Sequence, residues 1–183
     1  MALQGKLDVP NRFITTCDEN GKAIVDRTIP PEAPFYKLPN IETAFAHLYV
    51  TSGFPTKLQS DADIHTYQHY LNQPPGMTVS NGTVLRYVDM PPGATSPMHR
   101  TVSIDYGVVL EGNVELVLDS GETRPMKRGD VCIQRATMHA WRNLSKTEWV
   151  RMLYVLLPTE PYSAKGEPMV EDYGEMTGVE PSA

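Results

Sequence analysis

The sequence contains little cysteine, no long apolar run and no cluster of basic residues. Its 183 residues include only two cysteines, Cys17 and Cys132, which is too few for a disulfide framework and fits a reducing compartment. No segment has the length of a membrane-spanning helix, and the first residues lack the apolar stretch of a signal peptide. We therefore expect a cytoplasmic protein with no membrane partner.

Positive charge is scarce as well. The chain has 16 Lys and Arg against 22 Asp and Glu, a net charge of −6, and no basic run offers a footprint for phosphates. We expect no nucleic-acid partner for this reason. With 40% hydrophobic residues the chain has the composition of an ordered globular protein, and its length suits one domain without internal repeats.

Three regions of the chain differ in composition and in the pattern of apolar residues. Residues 1–80 are interrupted by prolines and predict an irregular extension packed on the rest, with a hairpin around Asn20-Gly21 and a buried strand at 44–50. Residues 81–158 alternate short apolar runs with turn residues, which predicts an all-β sandwich or barrel. Residues 159–183 are polar and predict a tail that frays or lies over a partner subunit.

The second region contains polar side chains that would meet in one pocket. On a strand, His99, Thr101 and Ser103 share one face, and His139 and Trp141 share a face in the same way. A lone histidine is read most simply as a core residue. Two histidines together with Trp and Thr instead predict a small-molecule pocket, which is mostly apolar and has a few aimed polar groups.

The spacing of these residues resembles the two signature blocks of the cupin superfamily. The blocks are residues 93–112 and 129–143, and the matching positions are Gly93, His99, Gly112, Gly129, Asp130, His139 and Asn143. Two positions depart from the pattern, because Thr101 replaces the second histidine and Asp105 replaces the glutamate. The runs 98–106 and 134–143 are more narrowly similar to small single-domain cupins of fungal polyketide pathways. This resemblance implies a jelly-roll β-barrel (a double-stranded β-helix) in residues 81–158, a pocket open at one end and a homodimer.

Cupins usually hold a divalent metal on three histidines and a glutamate, and the resemblance maps these positions onto His99, Thr101, Asp105 and His139. Thr101 is a poor ligand, because a neutral hydroxyl does not match imidazole. His99, Asp105 and His139 then form a two-histidine, one-carboxylate set suited to Fe(II). A straight strand would separate His99 from Asp105 by roughly 20 Å, so the chain must bend between them. No cofactor is certain, and a divalent Fe, Zn, Mn or Ni ion is left open.

Without a metal, His99, Asp105 and His139 predict a catalytic acid–base site for proton transfer. We expect a small-molecule lyase or isomerase that dehydrates, decarboxylates or enolises a polyketide-like or aromatic carbonyl compound. The residues expected to bind this substrate are Tyr87, Thr101, Ser103 and Trp141. Two alternatives remain, a metal-dependent cupin oxygenase and a non-catalytic cupin that binds a small ligand.

A second histidine pair, His65 and His69, has the i, i+4 spacing of a helical zinc site. The glutamate and the third ligand of such a site are missing nearby, so the segment 61–70 is interpreted as a surface or lid segment.

Overall fold

The computed structural model describes residues 7–182, which form short β-strands and one α-helix. The helix is α1 (Ala62–Asn72), and a 3₁₀ turn, Gln59–Asp61, precedes it. The strands are β1 (Thr15–Cys17), β2 (Ala23–Val25), β3 (Tyr36–Lys37), β4 (Ala44–Ser52), β5 (Gly82–Met90), β6 (Ser103–Glu111), β7 (Asn113–Leu118), β8 (Thr123–Lys127), β9 (Val131–Arg135), β10 (His139–Asn143), β11 (Val150–Pro158), β12 (Ser163–Ala164) and β13 (Glu167–Pro168). The predicted all-β class is confirmed.

Two antiparallel sheets form the body of the protein. The larger has six strands in the order β3-β4-β5-β11-β6-β9, and the smaller has three in the order β10-β7-β8. One apolar cluster joins them, because it contains Val84 and Met152 of the larger sheet together with Val114 and Trp141 of the smaller one. Two antiparallel sheets packed on a shared core are the jelly-roll arrangement that the sequence predicts.

Most strands lie where alternation of apolar and turn residues predicts them. The hairpin around Asn20-Gly21 is the ribbon β1-β2, and the expected strand at 44–50 is the start of β4. Strand β8 is not predicted, because Pro125 interrupts its sequence. It forms nevertheless at the edge of the smaller sheet, where a missing N–H leaves no ladder bond unpaired.

The extension and the tail both lie against the sheets. Strand β4 pairs with β5 over its length, and the Tyr67 hydroxyl of α1 donates a 2.7 Å hydrogen bond to the carbonyl oxygen of His47. The tail, expected to fray or to cover a partner subunit, instead returns to its own chain, where the N–H of Arg100 donates to the carbonyl of Asp172 at 2.6 Å. Residues 1–6 and 183 of these segments lie outside the described residues. Within residues 7–182, no helix is long and apolar enough to cross a membrane.

A buried ion pair joins β5 to β11 on the other face of the larger sheet. The guanidinium of Arg151 donates to both carboxylate oxygens of Asp89, at 2.7 and 2.6 Å, and to the carbonyl of Asp8 at 2.8 Å. The rings of Phe35 and Tyr87 each lie 5.4 Å from its central carbon. Every side of this arginine is therefore in contact with an acceptor or an aromatic ring, as expected of a structural charge.

The buried imidazole of His47 makes stability depend on pH. Its ring stacks on Tyr36 at 5.5 Å, and its Nε2 is buried with no hydrogen-bond partner in residues 7–182. Burial, with a smaller effect of the Arg86 charge, lowers the pKa of His47 to about 3. In the unfolded chain the His47 imidazole therefore becomes protonated near pH 6.5, whereas in the folded chain it becomes protonated only near pH 3.

We expect stability to fall as the pH drops from 6.5 towards 3, with His47 contributing about 1.4 kcal/mol per pH unit. His47→Phe keeps the stacking and removes the titrating group, so its urea midpoint should depend less steeply on pH between 4 and 7. His65→Phe, on the exposed face of α1, is the matched control and should keep the wild-type slope. An unchanged slope in the His47 variant would refute this assignment.

Candidate active site

His99 and His139 meet through a short antiparallel bridge. The N–H of each donates to the carbonyl oxygen of the other, at 2.8 and 2.9 Å. Their ring centroids lie 4.3 Å apart, and the side chains are only 8% and 3% exposed. The main-chain pairing thus places two imidazoles from distant parts of the sequence side by side inside the protein.

Main-chain carbonyls fix the tautomer of both imidazoles. Nδ1 of His99 lies 2.8 Å from the carbonyl oxygen of Pro97, and Nδ1 of His139 lies 2.9 Å from that of Thr137. A carbonyl oxygen only accepts hydrogen bonds, so each Nδ1 carries the hydrogen and each Nε2 carries a lone pair. Both rings therefore present a hydrogen-bond or proton acceptor.

Both imidazoles are neutral at pH 7. Burial lowers the pKa of His99, and the hydrogen bond to Pro97 opposes this effect only in part. Burial, followed by the neighbouring His99, lowers the pKa of His139 to about 3. A negative charge on a bound ligand would favour the protonated rings and raise both pKa values.

Asp105 faces the same space as the two imidazoles, because the chain bends between Thr101 and the start of β6. The Thr101 hydroxyl donates to Oδ2 of Asp105 at 3.3 Å, and the Ser103 hydroxyl donates to Thr101 at 2.6 Å. Oδ1 of Asp105 is buried with no partner among the described residues. Burial raises the pKa of Asp105 to about 6, against the opposing effects of Ser103, Arg86 and Thr101.

These groups line a small cavity, here called the inner cavity. Its volume is about 50 Å³, and His99, Thr101, Asp105, His139 and Trp141 all contribute to its wall. The remaining wall is mostly apolar and includes Ile41, Phe45, Met77, Val88, Met90 and Tyr154. The ring of Trp141 packs edge-on against both His139 and Tyr154, with 5.9 Å between centroids in each case. This wall offers a flat aromatic surface beside the polar groups.

A larger cavity, the outer cavity, adjoins the inner one. Its volume is about 630 Å³, and it lies between α1, the chain after α1 and the C-terminal tail. Phe45, Met77 and Arg86 line both cavities. The outer cavity is large enough for a small organic molecule, whereas the inner one holds only its reacting end until side chains move.

Two of the predicted substrate-binding residues are placed differently from expectation. Tyr87 does not line the inner cavity, because strand alternation turns it to the opposite face of β5, where it packs with Leu48 and Leu153. Ser103 is fully buried behind Thr101 and reaches the cavity only through that hydroxyl. Thr101 and Trp141 line the wall. Arg86 was missed, although its alternation with Val84 and Val88 places it on the core-facing side of β5.

The donor set does not fit a metal held by three protein ligands. The Nε2 lone pairs of His99 and His139 could bind an ion, but Thr101 stands at the position of the family's second histidine and offers only a hydroxyl. Over residues 7–182, no group of three or more His, Cys, Asp or Glu side chains is arranged to hold a metal ion. Asp105 is engaged by Thr101 instead. The expected set of His99, Asp105 and His139 therefore has the three residues in one cavity without the geometry of a metal centre.

The other candidate groups lie outside the inner cavity. His65 and His69 are both exposed on α1, and His69 lines the outer cavity. Cys17 is exposed, and burial raises the pKa of the Cys132 thiol, which leaves it protonated and unreactive at pH 7.

Comparison with known proteins agrees with this architecture. A family model described as the cupin domain matches residues 86–156. The cupin domain of Schizosaccharomyces pombe Cnp3 is similar in structure, with a TM-score of 0.50 at 19% identity, covering 82% of this chain and 88% of that one. This likeness supports the jelly-roll fold.

Several fungal proteins are similar in sequence over most of their length. Phomopsin biosynthesis cluster protein C' of Diaporthe leptostromiformis is 47% identical over 88% of this chain and 85% of its own. Oryzines biosynthesis cluster protein J of Aspergillus oryzae is 44% identical over 91% and 92%. The cupin-domain-containing oxidoreductase virC of Hypocrea virens is 39% identical over 82% and 76%.

Proposed function

The chain belongs to the cupin family, and on this premise we propose that it is an enzyme of fungal secondary metabolism that transfers protons on a small carbonyl compound. The relatives in biosynthesis clusters support the metabolic setting. The reaction class is a dehydration, decarboxylation or enolisation of a polyketide-like or aromatic substrate. His99, Asp105 and His139 are the proposed catalytic residues, and Thr101 and Trp141 the proposed substrate contacts.

One observation carries this proposal. Two imidazoles with lone pairs on Nε2 share an inner cavity with a carboxyl group whose Oδ1 has no protein partner within the described chain. A structural polar cluster would pair these atoms with one another, because an unsatisfied buried acceptor costs stability. Three acceptors turned into one space are instead suited to a ligand that brings hydrogen-bond donors or transferable protons.

The pKa of each group assigns it a role. Asp105, with a pKa of about 6, is protonated in part of the molecules near neutral pH and is the better proton donor. The neutral imidazoles accept. In a dehydration, one imidazole removes the proton α to the carbonyl, the C–OH bond breaks, and Asp105 protonates the departing hydroxyl to give water. The protonated imidazole then passes its proton to the ionised Asp105, which restores the starting state.

The same groups serve an enolisation, in which no bond to oxygen breaks. An imidazole takes the α proton and returns it at the other end of the enolate, while the Thr101 hydroxyl or protonated Asp105 hydrogen-bonds the carbonyl oxygen. The apolar wall excludes water, which strengthens each of these interactions. Trp141 provides a face for an aromatic or conjugated ring.

The proposal predicts a rate that declines in alkaline solution. The reactive form of Asp105 is protonated, and its pKa of about 6 means that this form is lost as the pH rises through that value. We expect kcat/KM to fall by about tenfold per pH unit above the pKa. Asp105→Asn should lower kcat by about 10²-fold or more and abolish this decline. A pH profile that keeps its decline in the asparagine variant would contradict the assigned role.

The experiment that tests the function is hydrogen exchange at carbon. A panel of β-keto and aromatic carbonyl compounds is incubated with the protein in D₂O containing a strong chelator, and deuterium entering the α position is followed by NMR. Exchange in the wild type and none in His99→Gln or His139→Gln is the expected result. Absence of exchange across the panel, together with iron-dependent O₂ consumption, would replace the proposal with an oxygenase.

That oxygenase is the second candidate, and the relative named as an oxidoreductase favours it. Two free Nε2 atoms on neighbouring rings are compatible with an ion that takes its other ligands from the substrate. Elemental analysis of protein purified without added metal separates the candidates, since only an oxidoreductase of this kind needs stoichiometric iron, manganese or nickel.

A further inference from the structure

Arg86 is a buried cation at the junction of the two cavities. It lies on β5, on the core-facing side shared with Val84 and Val88, and its side chain is only 8% exposed. It lines both the inner and the outer cavity. A positive charge in this position is costly, because its surroundings replace little of the hydration that it has lost.

No acidic side chain in residues 7–182 neutralises this charge. Arg86 takes part in none of their ion pairs. Its Nη1 donates to the thioether sulfur of Met77 at 2.9 Å, which is a weak acceptor, and its Nε is buried with no acceptor in the described part of the chain. The Phe45 ring lies 5.8 Å from its central carbon. The guanidinium therefore has unpaired donors, and Glu180, the acidic residue that lines the outer cavity with it, forms no ion pair with it among the described residues.

Arg151 is a buried arginine with a structural role, and its hydrogen-bond partners provide a comparison for Arg86. It is buried to the same degree, at 7% exposed, and lies on the neighbouring strand β11. Its guanidinium is bound by both oxygens of Asp89 and by a carbonyl oxygen. A purely structural Arg86 would be expected to have similar partners, because breaking such a pair is strongly destabilising. Its donors are instead left for a ligand.

The charges around Arg86 do not provide an internal partner either. The charge of Arg86 acts on the pKa of six groups in the core. Five of them, His47, His99, His139, Tyr36 and Tyr154, are neutral at pH 7. The sixth is Asp105, whose pKa it lowers. Asp105 is the one acidic side chain of the inner cavity among the described residues, and it lies beyond ion-pair distance of Arg86. The junction of the two cavities therefore favours an anionic occupant.

We propose that Arg86 binds a carboxylate of the substrate, so that the carbonyl compound is also an organic acid. This rests on the proposed function and adds the chemical class of the substrate. The planar guanidinium matches a carboxylate with two parallel hydrogen bonds. Arg86 is the one Lys or Arg side chain on the wall of the inner cavity among the described residues, whereas Lys37 lines only the outer cavity. One positive charge in a mostly apolar wall suits a carboxylate better than a doubly charged phosphate. Met77 gives up its weak contact when the carboxylate arrives.

The position of Arg86 also favours some of the proposed reactions over others. When a carboxylate is held at the junction of the cavities, the rest of the molecule extends either towards the imidazoles or into the outer cavity. The reaction requires that the carbonyl end extend towards the imidazoles. Pairing with Arg86 stabilises the ionised carboxylate in the ground state, which opposes its loss as CO₂. Dehydration and enolisation are therefore favoured over decarboxylation of that same group.

The test uses benzoate as the probe and benzamide as its neutral analogue, with binding measured by calorimetry and thermal shift. Wild-type protein should bind benzoate more tightly than benzamide or inorganic phosphate. Arg86→Met should weaken benzoate binding by about tenfold or more. Arg128→Met removes an exposed positive charge that lines neither cavity and should bind benzoate as the wild type does.

The stability of Arg86→Met separates a binding role from a structural one. Removing an unpaired buried charge should leave the ligand-free melting temperature unchanged or raise it by about 2 °C, whereas removing a structural arginine would lower it. Wild-type protein that does not bind benzoate, or that binds phosphate better, would overturn the proposal. So would a less stable variant that binds benzoate normally. The double variant His99→Gln, His139→Gln should still bind benzoate, so a failure of catalysis is distinguishable from a failure of carboxylate binding.

Discussion

Replacing either His99 or His139 with glutamine should lower kcat by about 10²–10⁴-fold. Glutamine fills similar space but cannot take up a proton at neutral pH, so the variant loses the proton acceptor and keeps the packing. The two residues act on one proton path, since their rings lie 4.3 Å apart. The double variant should therefore be little worse than either single variant.

The measurement is steady-state turnover of whichever compound shows hydrogen exchange, with a chelator present throughout. His65→Gln, on the exposed face of α1, is the matched control and should retain full activity. If both glutamine variants turn over substrate at the wild-type rate, the two imidazoles are core residues and the proposed mechanism fails. Activity that is lost on chelation and restored by one added metal would favour the oxidoreductase instead.

Truncating Asp89 to alanine should destabilise the protein by about 3–5 kcal/mol. The substitution leaves the Arg151 guanidinium buried without the two carboxylate oxygens that it now contacts at 2.7 and 2.6 Å. A double variant, Asp89→Leu with Arg151→Met, replaces the pair by apolar side chains and should recover most of the loss. Urea unfolding, with the midpoint converted by a common slope, measures all three proteins.

An exposed pair provides the comparison for this experiment. Lys37 and Glu42 lie 2.8 Å apart at the surface, and Lys37→Gln should leave the urea midpoint unchanged because water already screens that pair. Equal effects of Asp89→Ala and Lys37→Gln would show that the buried pair contributes no more than a surface one. In that case the contrast drawn between Arg151 and Arg86 would lose its basis.

Local patterns are sufficient to predict most of the strands and the meeting of the two histidines. Period-two alternation predicts which side chains of β5, β6 and β11 face the core, because successive side chains of a strand point to opposite faces of the sheet. Gly112 has a φ of +76°, and a Cβ at this position would lie 2.7 Å from the Trp149 carbonyl oxygen, which explains why the turn needs glycine. The spacing of residues around His99 and the spacing around His139 each agree with the cupin signature blocks. Together they predict that the two histidines meet in one pocket.

What depends on contacts between distant segments was not predictable. The chemistry of Tyr87 suits a substrate contact, but the alternation of strand β5 turns its side chain away from the cavity. Arg86 is the opposite case, because an arginine in an apolar strand is usually expected at the surface, whereas here it lines both cavities. Nothing local shows that Asp89 would pair with Arg151 and leave Arg86 without an anion. The return of the tail to Arg100 is likewise a long-range contact.

The walls of the two cavities are built from different kinds of backbone, paired strands in one case and connecting segments in the other. The reactive side chains belong to or adjoin the paired strands, whereas much of the outer cavity is formed by segments outside the sheets, at 38–39, 74–76 and 178–181. Such connecting segments tolerate substitution and changes in length far better than a packed sheet does. Related proteins could therefore diverge in the molecules that they accept by exchanging these segments, while the chemistry at the centre is inherited unchanged.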